Sequence, residues 1–152
     1  MSTPKDKIGP VGGLNFSAAP PIVANEDDGA TIQLRDIEDE LMHYRMSSED
    51  EWKPVTITVV GTYSKRYKRA QDHQTTLAVK GGRRVKVTGD KLRTQRENLA
   101  AHCIIAWDGF FDANGSVDCT PENILDAFEK YPFILEQAEA AMDDHANFSK
   151  KS

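Results

Sequence analysis

Four groups of residues in this sequence have the types and spacing to suggest chemistry. His102 and Cys103 are adjacent, and Cys119 follows in the same region, so a thiolate–imidazole metal site is the first to weigh. Structural zinc sites draw on four ligands with short, regular gaps between paired residues. Adjacent ligands with one distant cysteine do not fit that spacing, and His43, His73 and His145 share no local spacing with them. Cys103 could instead serve as a nucleophile beside an imidazole, but it lies among apolar residues, where a thiol stays protonated and inert. Asp112, Asn114, Ser116 and Asp118 alternate like calcium ligands. An EF-hand loop requires Gly at its sixth position and Glu at its twelfth; counted from Asp112 these are Val117 and Asn123. Gly81-Gly82-Arg83-Arg84 lacks the first glycine and the Gly-Lys-Ser/Thr ending of a phosphate loop. The residues thus read as a chain with no catalytic residues, no metal site and no cofactor.

Charge is more informative. From Ser64 to Arg96 there are eleven Lys/Arg against two Asp/Glu, whereas Glu97–Ser152 has three against eleven and the first 63 residues five against eleven. The basic block, with Tyr63 and Tyr67, could hold phosphates and stack bases. The acidic remainder of the chain opposes a polyanion, so nucleic acid is not the expected partner. A protein-binding or solvated face fits better, with Lys65, Arg66, Lys68 and Arg69 as its contacts. The asymmetry also suits charge-complementary self-association.

With 152 residues the chain has the size of one domain, and 39% hydrophobic residues make a lean core. No apolar run is long enough to span a membrane, and the N-terminus has no signal-like apolar region. Two cysteines outside any CxxC pair read as reduced thiols of a cytosolic protein.

The elements that must carry these residues begin with an arm, residues 1–29, rich in proline (Pro4, Pro10, Pro20, Pro21) and glycine. Leu14 and Phe16 are its bulky apolar pair. Alternation over 30–34 predicts a short strand, and β-branched Pro54–Val60 a stronger one that pairs antiparallel with it. The acidic stretch 36–51 allows either a turn or two of helix or a long hairpin loop. Thr62 or Ser64 caps a helix to about Ala78. Asp90 opens another, Lys91–Trp107, with Leu92, Leu99, Cys103 and Ala106 on its core face. Asn114-Gly115 predicts a tight hairpin turn. Thr120-Pro121-Glu122 starts a third helix, Pro132 interrupts it, and a last helix spans Phe133–His145, with Phe148 as anchor and 149–152 as a frayed tail. The expectation is therefore an α+β fold: a short N-terminal antiparallel β element followed by about four α-helices, in one domain over 30–148.

Several of these motifs occur in a familiar order. They are Gly61-x-x-Ser64-x-x-Tyr67-x-x-Ala70, Trp107-x-Gly109, Pro121-Glu122-Asn123 and the closing Asn147-Phe148. Over about residues 30–148 the chain resembles the tail assembly chaperones encoded among the tail genes of tailed bacteriophages and prophages. The arm and the acidic 36–51 stretch lie outside the likeness. The resemblance implies a non-enzymatic protein of the host cytoplasm that binds the long helical tape-measure protein, or other tail proteins, and keeps it soluble during tail assembly. Phe110, Phe111, Phe133 and Phe148, dense around a surface turn, are the expected partner contacts. The alternative is a structural virion protein (a tail, neck or capsid-associated subunit) using the arm and charged faces for subunit contacts. A nucleic-acid-binding accessory role comes third.

Overall fold

A computed structural model describes residues 26–80 and 89–148. The expected arm through residue 25, the basic linker 81–88 and the expected tail 149–152 lie outside the described residues. The elements run β1 (Ala30–Gln33), β2 (His43–Tyr44), β3 (Lys53–Pro54), β4 (Thr56–Val59), α1 (Lys65–Lys80), α2 (Gly89–Cys103), β5 (Ile104–Asp108), β6 (Phe111–Asp112), β7 (Gly115–Ser116), α3 (Pro121–Lys130) and α4 (Pro132–Asp143), with a 3-10 turn at His145–Asn147. The fold is α+β, as expected.

β4 is the centre. Its β-branched residues suit a pleated strand, and it pairs antiparallel with β1, Ala30 opposite Val59 and Gln33 opposite Thr56. Val55, Ile57 and Val59 are buried towards the helices. On the other face the Thr31 and Thr58 hydroxyls share a hydrogen bond of 2.7 Å. The helices cover the buried face with Ala100, Ala101 and Cys103 from α2, Ile124 and Phe128 from α3, and Ile134, Ala138, Ala141 and Met142 from α4. Each of the larger of these side chains stabilises the fold by roughly 1.5–3 kcal/mol through burial.

The β element has three strands rather than two. The helix expected over Lys91–Trp107 ends at Cys103, and Ile104–Asp108 turns into β5 on the free edge of β4. A short apolar run reads equally as buried helix or buried strand, and the unpaired edge of β4 decides it. A bulge lets Val59 face Ile104 and Thr58 face Ala106, leaving Ile105 outward. Leu92, expected on the core face of α2, is 51% exposed because the first turns of that helix run clear of the core. The acidic 36–51 stretch takes the hairpin alternative, not the helical one: β2 pairs with β3, and the Asp36 carboxylate accepts from the Glu38 and Glu40 N–H groups. Ile37, Met46 and Trp52 project from this double hairpin into solvent.

Two of the start signals behave as read, while Asp90, expected to open the second helix from outside, lies in the first turn of α2, which already includes Gly89. Thr120 Oγ1 accepts from the Asn123 N–H at 3.2 Å, with Pro121 opening α3. Ser64, not Thr62, caps α1, accepting from the Tyr67 N–H at 3.0 Å. Residues 26–28, at the end of the expected arm, are helical, and Glu26 is fully buried.

Candidate functional site

At the Thr56 end of the sheet, β5 delivers Trp107 to an edge where the β6–β7 hairpin and the α3–α4 junction meet. Trp107 Nε1 donates to the Val117 carbonyl at 2.7 Å, which ties the ring to the hairpin. Phe110 stacks on it, ring centroids 4.0 Å apart and planes 9° from parallel. The intervening turn requires Gly109, whose φ is +93°. A Cβ there would also lie 2.9 Å from the Tyr44 ring and 3.0 Å from Val55. Phe111 follows on the outer side, 42% exposed and tilted against Tyr44 at 5.2 Å. The Tyr44 hydroxyl donates to Asp108 at 2.9 Å. That bond, reinforced by desolvation and the carboxylate's charge, holds the phenol above its ordinary pKa.

Tyr131 forms the opposite wall. It sits between α3 and α4 because Pro132 breaks the helix and begins the next. Its ring is 53% exposed and packs at a tilt against Phe133, 5.9 Å away. Between the walls lies a groove of about 510 Å³, floored by Leu34, Val55 and Ile134. Asp112, Asp126 and Lys130 stand along its rim. Half-exposed aromatic rings over an apolar floor, with charges confined to the margin, can bury apolar side chains from a second molecule.

Of the four phenylalanines expected as contacts, three line this groove: Phe110, Phe111 and Phe133. Phe148 does not. It is 3% exposed and belongs to the core cluster. Trp107 and Tyr131 also line it, although neither is among the expected contacts. A helical reading of Lys91–Trp107 hides Trp107, and the signal for Tyr131 is its place before a helix-breaking proline.

The expected basic contacts lie at the other end of β4. Lys65, Arg66, Lys68 and Arg69 are exposed on the first turns of α1. Cations at a helix N-terminus oppose its dipole, and α1 has no acidic residue in its first turn. Asp27 supplies the missing charge from outside: its carboxylate accepts from the Lys65 N–H at 2.9 Å and the Arg66 N–H at 3.4 Å. Beside it, the buried Glu26 carboxylate accepts from the Tyr63 N–H at 2.8 Å and pairs with His145 Nδ1 at 2.6 Å. The Tyr63 ring stacks on His145 at 4.0 Å. Gly61 makes room for this arrangement, since a Cβ there would lie 1.9 Å from Glu26 Oε1.

The thiols are free, and Cys103 is completely buried. Desolvation pushes its pKa up to about 12, against a smaller lowering by Arg66. At neutral pH such a thiol is neither a nucleophile nor a ready ligand. Among the described residues no group of three or more His, Cys, Asp or Glu is placed to hold a metal ion. No helix among them is long and apolar enough to cross a membrane. Compared with known proteins, the chain matches no family model, no curated protein and no solved structure.

Proposed function

We propose that this chain is a non-enzymatic assembly chaperone of a tailed bacteriophage, one that binds the tape-measure protein and keeps it soluble while the tail assembles. The observation that carries this reading is the aromatic groove, which gathers Phe110, Phe111 and Phe133 from a hairpin and a helix into one open surface. The occupant is an amphipathic helical segment of the partner. Helix-in-groove recognition inserts side chains spaced at i, i+3, i+4 and i+7 into an apolar trough, and a tape-measure protein is long and helical. The excess of carboxylates over the chain keeps a complex with an aggregation-prone partner soluble.

Co-expression with the tape-measure protein encoded beside it tests the reading. The expected result is a soluble complex that survives purification, together with absence of the chaperone from finished virions. Detection in purified virions at a fixed high copy number overturns it in favour of a structural tail, neck or capsid-associated subunit.

A further inference from the structure

A cleft of about 410 Å³ opens between α1 and the end of α2 and shares no lining residue with the aromatic groove. Its lining is Arg66, Arg69, Ala70, His73 and His102. The first four follow at i, i+3, i+4 and i+7, so they share one face of α1. His102 comes from the last turn of α2. The carboxylate carried by α1, Asp72, does not line it.

Two of the four basic groups are held in place. Arg66 Nε donates to the His102 carbonyl. His102 Nδ1 lies 2.8 Å from the Asn98 carbonyl, so that nitrogen carries the proton, and Nε2 donates to an anion only when the ring carries a second proton. Arg69 and His73 are exposed. Among the other described arginines, Arg35 pairs with Asp39, Arg93 with Asp90 and Arg96 with Glu139, and Arg45 lies over the Trp52 ring. Arg66 and Arg69 form no ion pair among the described residues. Among the described residues, then, no carboxylate lines this basic cleft or pairs with its arginines.

We infer that this cleft binds a phosphate group. Guanidinium forks and imidazole N–H groups match tetrahedral phosphate oxygens, and their bonds to it are charge-assisted. A single carboxylate from a protein partner would leave much of the cleft's charge uncompensated, whereas a phosphate presents several oxygens to the Arg66, Arg69 and His73 donors gathered on one face of α1. The group could come from free phosphate or a phosphomonoester, or from a nucleic-acid backbone, and the two sources are separable.

The full chain is titrated with sodium phosphate at constant ionic strength, following backbone amide shifts, and separately with a short oligothymidylate. Phosphate is expected to give saturable shifts over Arg66–His73 and at His102. The Arg69→Gln/His73→Gln variant should weaken binding by about tenfold or more, with an unchanged melting curve because both side chains are exposed. Lys53→Gln, on a different element, should bind as the parent does. Oligothymidylate binding that is lost in the same double variant assigns the source to a nucleic-acid backbone; phosphate binding alone assigns it to free phosphate or a phosphomonoester. Shifts no larger than those from chloride at matched ionic strength would overturn the inference. So would binding that survives the double variant, or displacement of phosphate by a polyglutamate peptide at lower concentration.

Discussion

At the Val59–Gly61 end of β4, a fully buried carboxylate is held by groups from two distant parts of the chain. At the Thr56 end, aromatic rings are gathered and left half open. Glu26, Tyr63 and His145 satisfy one another so fully that Gly61 has no room for a methyl group. Tyr63, itself 47% exposed, stacks on His145 beside that carboxylate, whereas Phe111 and Tyr131, 42% and 53% exposed, flank an open apolar groove. A buried carboxylate must be paired to be tolerated, so the first end is specified by structural need. Exposed aromatic rings add little to the stability of the fold that holds them, and the open apolar groove they flank is what the proposed partner binding rests on. The comparison can be broken or sharpened by substitution at each end.

The largest effect is expected at Gly61. Gly61→Ala forces the buried Glu26 carboxylate away from its partners and should cost about 3 kcal/mol or more, read as a lower urea midpoint with an unchanged slope. Glu26→Ala alone should cost about 2–4 kcal/mol, by leaving the Tyr63 N–H and His145 without their acceptor. In the double variant the costs should fall well short of additive, because both substitutions disrupt one interaction. Additive losses would show that Glu26 is not what constrains Gly61.

A smaller effect concerns the core beneath both ends. The folded pKa of Cys103, about 12, lies above the thiol's ordinary value of 9.0. Folding therefore favours the protonated thiol. Its stabilising contribution is fully present below pH 9 and is lost as pH rises towards 12. The parent should accordingly lose more stability than Cys103→Ala over that alkaline window, and Cys103 should resist Ellman's reagent at pH 8 until the chain unfolds. Rapid labelling of the native protein at Cys103 would contradict its burial.

Next comes the cap of α3. Thr120→Ala should cost about 1 kcal/mol, measurable as a modest drop in melting temperature. At the groove, Tyr131→Ala should move stability by no more than about 0.5 kcal/mol, as for other exposed positions. The same substitution is expected to weaken partner binding by tenfold or more, since aromatic anchors dominate interface energetics. A Tyr131 variant that binds normally but unfolds easily would reverse the comparison.

Features encoded locally were legible in the sequence. The β-branched run of β4, the Thr120-Pro121 start and the Pro132 break each depend on a few adjacent residues and appear where read, and the hairpin signalled by Asn114-Gly115 forms with its turn one residue earlier, at Ala113-Asn114. The features that escaped depend on distant partners. β5 exists because β4 has an open edge, and nothing within Ile104–Trp107 separates strand from helix. Glu26 becomes a core residue through His145, 119 positions away. Asp27 serves as the missing acidic group of α1 across 38 positions. Within the groove, the density of aromatics around the turn pointed to Phe110, Phe111 and Phe133. It also pointed to Phe148, whose ring turns inward once the 3-10 turn at His145–Asn147 brings the chain back over the core. Trp107 was hidden by the same helix–strand ambiguity as β5, and Tyr131 gained its exposure from the junction that Pro132 creates.

The central claim, that the aromatic groove receives a helical partner, is tested most directly by site-specific photocrosslinking. A photoreactive phenylalanine analogue is placed at Phe111, in the groove, or at Tyr63, at the opposite end of β4, and each protein is co-expressed with the tape-measure protein and irradiated. The expected result is a crosslinked species from position 111, mapped to an amphipathic helical segment of the partner, and none from position 63. Crosslinking from position 63 alone, or equal yields from both positions, would contradict the account.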